Sequence, residues 1–169
     1  MSALPRVTEQ TREKVSMEFD DVGPGICVAR ISETLRSENP ELLDMAAKCA
    51  RDIGAPDRIM VGFCMFYRLL VLESGASHHE PPATVPLLSG LPRVAPETRD
   101  SIVQQIDEEG PEAFTRASLK SLERDNPELL QFAHQFASRQ GDYLRIMQGF
   151  ALLYASLVSQ SMADRARLN

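Results

Sequence analysis

The pentapeptide Asn-Pro-Glu-Leu-Leu occurs twice in this chain, at residues 39–43 and again at residues 126–130. When the second copy is laid on the first and the alignment is extended without gaps, residues 4–74 match residues 91–161, and about 27 of the 71 positions are identical. Self-similarity of this extent at one fixed offset is typical of an internal repeat. The sequence therefore predicts a tandem duplication, with helical unit 1 at 1–74, a Pro/Gly-rich linker at 75–90 and helical unit 2 at 91–169.

The repeated pentapeptide has the chemistry of a helix N-terminus. The side-chain oxygens of Asn39 and Asn126 can accept hydrogen bonds from free N–H groups of a first helical turn, and the following proline suits the first helical position. Gly54 and Gly141 stand where helices commonly end in a left-handed turn. Gly-Pro pairs predict one further helix start in each unit, at residues 23–24 and 110–111. We therefore expect an all-α fold with about four helices in each unit and about eight in total.

Apolar spacing indicates which helices pack on the core. Near the start of each unit, residues at i, i+4 and i+8 form a narrow stripe, made of Thr11, Val15 and Phe19 in unit 1 and of Thr98, Ile102 and Ile106 in unit 2. The segments 57–74 and 142–161 are apolar around most of their circumference, which predicts two central helices related by a pseudo-twofold axis. Gly62 and Gly149 each cost a helix about 1 kcal/mol relative to alanine. Their retention therefore predicts close contact between helices at that point.

Composition excludes several classes of function. The net charge is −6, and basic residues are interleaved with acidic ones, whereas nucleic-acid binders usually carry a basic stripe. We therefore expect no direct nucleic-acid binding. The longest apolar run, residues 60–72, contains Arg68 and is too short to cross a bilayer, so no membrane contact is expected. An odd number of cysteines without a Cys-x-x-Cys motif predicts reduced thiols and a cytoplasmic location.

Residues suited to catalysis or metal binding are sparse. The cysteines Cys27, Cys49 and Cys64 align in the repeat with Phe114, Phe136 and Ala151, which predicts buried apolar positions rather than nucleophiles. The densest group of potential metal ligands, His-His-Glu at 78–80, falls in the predicted linker without a third partner nearby, so it is interpreted as exposed linker. No catalytic motif is present. We therefore expect no cofactor and no metal, and the chain is not favoured as an enzyme.

Five charged positions and one tyrosine are the same in both units. These pairs are Arg6/Arg93, Arg12/Arg99, Asp20/Asp107, Glu41/Glu128, Arg58/Arg145 and Tyr67/Tyr154. Arg58 and Arg145 begin the central helices, where the helix dipole disfavours a cation, so we expect each to pair with a carboxylate such as Asp20 or Asp107. The alternative is that the arginines present one anionic ligand site twice. The structural interpretation is favoured.

One face of the first central helix differs between the units. Val61, Met65, Arg68 and Leu72 lie at i, i+4, i+7 and i+11, and this face is more apolar than its counterpart, which carries Gln148, Leu152, Ala155 and Ser159. The face either joins the second unit or is an exposed patch for a partner. An apolar groove that contains methionine suits the capture of a helix.

Three functions are compatible with these patterns. The leading hypothesis is a non-catalytic protein-interaction or regulatory module, with a protein partner or self-association through the face of Val61, Met65, Arg68 and Leu72. The alternative is a small-molecule sensor or an enzyme with a pocket between the halves, walled by Arg58, Arg145, Tyr67 and Tyr154. A weaker alternative is an acidic inhibitor that competes with nucleic acid for a basic partner.

Overall fold

The computed structural model describes residues 6–77 and 93–168, and the secondary structure of these residues is entirely helical. The all-α prediction is therefore confirmed. In chain order the described helices are α1 (Glu9–Val22), α2 (Pro24–Glu38), α3 (Pro40–Ile53), α4 (Pro56–Ser77), α5 (Pro96–Glu109), α6 (Pro111–Asp125), α7 (Pro127–Gln140) and α8 (Tyr143–Leu168).

The predicted helix ends are confirmed at the two glycines and at both asparagines, although only one asparagine side chain makes the predicted capping hydrogen bond. Gly54 and Gly141 close α3 and α7 with φ values of 108° and 92°, a left-handed conformation that glycine adopts without strain. The Asn126 side chain accepts from the backbone N–H of Leu129 at 3.3 Å. Asn39 is likewise the N-cap residue of α3, and its φ of −149° is close to the −153° of Asn126. The predicted side-chain hydrogen bond is absent there, because the buried Oδ1 of Asn39 accepts none among the described residues.

Helices α1 and α5 pack on the core through the predicted stripes, which lie entirely among the buried residues. The threonine of each stripe is anchored by a buried side chain near the end of a central helix. The hydroxyl of Thr11 donates to Glu73 at 3.0 Å, and that of Thr98 donates to Gln160 at 2.8 Å. Each acceptor oxygen also accepts a second hydrogen bond, from the backbone N–H of Thr8 in the first case and of Ala95 in the second. The N-termini of α1 and α5 are thereby fixed to α4 and α8.

Helices α4 and α8 pack against each other along the centre of the molecule, as their apolar circumference predicts. They approach so closely that a Cβ added at Gly62 would lie 1.8 Å from the carbonyl oxygen of Ile146. A Cβ at Gly149 would lie 1.7 Å from the carbonyl oxygen of Ile59. The predicted close contact between helices at the two glycines is therefore confirmed.

The bounds of the central helices differ from the predicted 57–74 and 142–161. Helix α4 continues through Ser77, so the first three residues of the predicted linker are helical, and α8 continues through Leu168. Residues 78–90, which include the His-His-Glu group, lie outside the described residues. In the part of the chain that is described, no helix combines the length and the apolar character needed to cross a membrane.

Candidate functional site

The face proposed for partner binding is packed into the core. Val61 and Met65 are both buried, and Met65 has no exposed surface. Arg68, at the edge of this face, pairs with Glu18 of α1 at 3.3 Å, and Leu72 is partly buried against the core. The face is therefore not an exposed patch, and the ion pair of Arg68 joins it to α1 of the same half rather than to the second unit. A partner could reach Met65 only after local unfolding.

The repeated tyrosines join the central helices to the ends of α2 and α6. The Tyr67 hydroxyl donates to Glu38 at 3.2 Å, and the Tyr154 hydroxyl donates to Asp125 at 2.7 Å. Both tyrosines are buried, and burial raises the pKa of Tyr154 to about 12. These contacts explain the retention of the two tyrosines as anchors between helices.

The predicted pairing of Arg58 and Arg145 with aspartates is wrong. Arg58 donates to the backbone carbonyl of Gln140, the last residue of α7, and Arg145 donates to the side chain of Gln148 at 3.0 Å. Carbonyl groups at a helix C-terminus lack partners within the helix and carry the negative end of its dipole. The C-terminus of α7 therefore supplies the negative partner that was expected from a carboxylate, and Asp20 pairs with Arg139 instead.

The three cysteines are buried free thiols, as the repeat alignment predicts. Burial is the main cause that raises the pKa of each thiol, and the pKa of Cys64 reaches about 12. A thiol with a raised pKa is a poor nucleophile near neutral pH because the thiolate is the reactive form. The cysteines are thus core residues.

The largest of the described cavities is an open groove of about 1040 Å³ between α1 and α7, here called the α1–α7 groove. Its apolar lining is formed by Met17 from α1 and by Phe132 and Phe136 from α7. Phe136 is buried and meets the ring of Phe19 edge-on at 5.4 Å, which closes the bottom of the groove. Met17 is 61% exposed, so its side chain adds accessible apolar surface to the groove.

Two arginines cross the α1–α7 groove and are engaged on its walls. Arg12 donates to the carbonyl of Val7 at 2.9 Å and lies 4.0 Å from Glu128. Arg139 pairs with Asp20 at 3.3 Å and donates to Ser16 at 2.7 Å. The Arg139–Asp20 pair is about half exposed and contributes at most about 1 kcal/mol to stability, whereas Arg12 is 17% exposed and its partner Glu128 is 69% exposed. Because of these contacts, both guanidinium groups in the groove already have partners within the protein.

The α1 wall carries acidic groups that have no such partner. Glu9, Glu13, Met17 and Asp20 lie at i, i+4, i+8 and i+11, so they form one stripe along α1, and all four line the groove. Among the described residues, Glu9 and Glu13 take part in no ion pair, and both are exposed. The wall of α1 is therefore acidic at its N-terminal end and apolar at Met17.

A second, smaller groove of about 450 Å³ lies between α3 and α5, here called the α3–α5 groove. The repeat alignment matches each of its lining residues with one in the α1–α7 groove. In the α3–α5 groove, Gln104 occupies the position of Met17. Met45 occupies the position of Phe132, and it is buried. Helices α3 and α5 also approach each other more closely than α1 and α7 do. The α3–α5 groove is therefore narrower and offers less apolar surface.

Three of the five repeated charged pairs line these two grooves. Arg12, Asp20 and Glu128 lie in the α1–α7 groove, and their matches Arg99, Asp107 and Glu41 lie in the α3–α5 groove. These pairs were recognised from the repeat, but their common surface was not. Met17 lies opposite the buried stripe of α1, so helical spacing could have indicated its exposure. Phe132 faces the groove only because α7 packs beside α1, which no local pattern reveals.

The α1–α7 groove combines charged side chains with the apolar lining described above. Its titratable side chains are carboxylates, two engaged arginines and His134, whose ring stacks on Tyr143 and shares a hydrogen bond with the Tyr143 hydroxyl. No thiol lines the groove. No protein-family model, curated protein or solved structure matches this chain.

Proposed function

We propose that this protein is a non-catalytic interaction module that binds a segment of a partner protein in the α1–α7 groove. The observation that supports this most is the exposure of Met17 beside Phe132 in the largest described cavity. Exposed apolar surface inside a concave, polar-rimmed site is characteristic of protein-binding surfaces. Methionine is also suited to such sites because its flexible side chain adapts to different partners.

The dimensions of the groove favour a helical segment. Helices α1 and α7 are 14 residues each, so each wall is about 21 Å long. A partner helix of three to four turns has a similar length, and helix-in-groove binding is a common mode of peptide recognition. The proposed site replaces the face of Val61 and Met65, which is buried.

The small-molecule alternative receives less support. The walls suggested for its pocket included Tyr67 and Tyr154, but these residues are buried and bonded to Glu38 and Asp125. Arg58 is likewise held by the carbonyl of Gln140. None of these groups lines the cavities between α1 and α7 or between α3 and α5.

We also propose that the chain is a tandem duplication of a four-helix unit with a pseudo-twofold arrangement, and that it works in the cytoplasm. The duplication is supported by helix lengths of 14, 15 and 14 residues in the same order in both halves. The reciprocal approaches of Gly62 to Ile146 and of Gly149 to Ile59 support the arrangement. Three unpaired thiols are consistent with a reducing compartment.

Site-specific photo-crosslinking in the source organism tests the proposed function. A photoreactive residue at Gln131, which is exposed in the α1–α7 groove, should capture one predominant protein. The matched control is Asp44, which occupies the aligned position in the α3–α5 groove. Met17→Glu should abolish the Gln131 adduct without changing the thermal melt, because residue 17 is solvated in the free protein. Adducts that are identical at both positions, or that persist in Met17→Glu, would refute the proposed site.

A further inference from the structure

We infer that the occupant of the α1–α7 groove is a basic amphipathic helix of a partner protein, an inference that rests on the proposed function. The groove supplies both elements that such a helix requires. Met17 and Phe132 offer an apolar surface, and Glu9 and Glu13 offer negative charge beside it.

Charge in the groove is unbalanced toward acid. Its lining includes the carboxylates of Glu9, Glu13, Asp20 and Glu128, against the guanidinium groups of two arginines. Each arginine already lies beside one carboxylate, Arg12 beside Glu128 and Arg139 beside Asp20. The two carboxylates left over are those of Glu9 and Glu13. The uncompensated charge therefore lies at the N-terminal end of α1.

The spacing of Glu9 and Glu13 fits a helical ligand. Residues four apart on a helix are neighbours on its surface, and like charges at this spacing repel by a few tenths of a kcal/mol. A bound lysine or arginine would relieve that repulsion. Two basic residues one turn apart on a partner helix can meet both carboxylates at once.

The apolar part of the groove sets the other face of the ligand. Met17 follows Glu13 by one turn on α1, and Phe132 faces the groove from α7. A partner helix with apolar residues at i, i+4 and i+7 would contact both side chains while its basic residues face Glu9 and Glu13. An acidic helix or a nucleic acid would instead place negative charge against the same carboxylates.

A second copy of this chain is the competing source of such a helix. The last turns of α8 carry the exposed Met162 together with Arg165 and Arg167. This segment is short, and the acidic Asp164 lies within it, bonded to Gln160. We therefore assign the groove to a separate partner and make self-association an outcome of the test.

Fluorescence anisotropy with two synthetic peptides tests the inference. Both peptides are helices of about 14 residues with the same leucine stripe, and their polar positions carry lysine and arginine in one and glutamate in the other. We expect the basic peptide to bind at least about tenfold more tightly and to weaken as NaCl is raised from about 50 to about 500 mM. The double substitution Glu9→Lys and Glu13→Lys should weaken its binding about tenfold or more.

A matched control and three contrary outcomes define the result. Asp100 aligns with Glu13 in the repeat and lines the α3–α5 groove, so Asp100→Lys is the control substitution. It should change the affinity for the basic peptide by less than about twofold. Equal binding of both peptides, lost in Met17→Glu, would overturn the basic inference but not the proposed function. If neither peptide binds, the inference of a basic helix is also overturned. The proposed function is then still tested separately by the crosslink at Gln131. Crosslinks from Gln131 to α8 of another copy, with a dimer in analytical ultracentrifugation, would replace the partner by a second copy.

Discussion

Replacing Gly62 with alanine should weaken the packing of α4 on α8. The added Cβ would lie 1.8 Å from the carbonyl oxygen of Ile146, and ordinary contact begins at 3.4 Å. The neighbouring atoms are backbone, so no side-chain rotation can make room. The two helices would have to separate by roughly 1.5 Å at this point, and the parallel stack of Phe66 on Phe150, with centroids 4.1 Å apart, would open with them.

The expected loss follows from three effects of known size. Overpacking costs about 1–3 kcal/mol, and the disturbed aromatic stack costs about 0.5–1.5 kcal/mol more. Alanine returns about 1 kcal/mol through its higher helix propensity. We therefore expect Gly62→Ala to lower the free energy of unfolding by about 2 kcal/mol, the centre of a range of about 0.5–3.5 kcal/mol. Gly149→Ala should act similarly, because its Cβ would lie 1.7 Å from the carbonyl oxygen of Ile59.

Urea unfolding followed by circular dichroism measures these changes. The matched control is Gly25→Ala, also in a helix, where an added Cβ meets no atom within 4 Å. That variant should be unchanged or more stable by up to about 1 kcal/mol. Combining Gly62→Ala with Gly149→Ala should cost less than the sum, because one separation of the helices relieves both clashes. A Gly62→Ala protein that is as stable as the wild type would refute the close packing.

Three further changes test the helix cap, the buried face and the buried thiols. Asn126→Ala should lower the free energy of unfolding by about 1 kcal/mol in urea titrations, and Asn39→Ala by less, since only the Asn126 side chain accepts a capping hydrogen bond; equal losses would contradict this. Met65→Glu should cost several kcal/mol and broaden or abolish the thermal melt, because it buries an unpaired carboxylate; a normal melt would show that residue 65 is accessible. Since burial raises the pKa of Cys64 from 9.0 to about 12, the unfolded chain loses this proton first, and stability should fall as pH rises through that interval. Cys64→Ala should remove up to about 1.4 kcal/mol per pH unit of that slope, and an unchanged slope would count against the shift.

Local signals made the helices predictable. Proline after a capping residue marks where a helix begins, and the left-handed glycines Gly54 and Gly141 mark where α3 and α7 end, so neither depends on distant residues. The stripe of Val15 and Phe19 identified the buried face of α1, because helical spacing is also a local property of the sequence. Comparison within the repeat added one tertiary feature, since only close packing explains two glycines in the middle of helices.

Features that depend on which helices become neighbours were not predictable from one sequence. The need of Arg58 for a negative partner followed from its place at a helix start, but the partner is a backbone carbonyl, which every residue carries and no side-chain pattern reveals. The groove was missed for a related reason. Arg12, Asp20 and Glu128 were recognised as repeated, but only the packing of α1 beside α7 brings them together around Met17.

The hydrogen bond from Arg58 to Gln140 has a consequence for the kinetics of binding. Gln140 ends α7, one wall of the α1–α7 groove, and Arg58 begins α4, which is fixed in the core. Moving α7 outward would strip the partly buried guanidinium of its acceptor at a helix end that disfavours a cation. This wall therefore resists displacement, and we expect ligands to enter a preformed groove with little backbone rearrangement, so that differences in affinity arise mainly from dissociation rates.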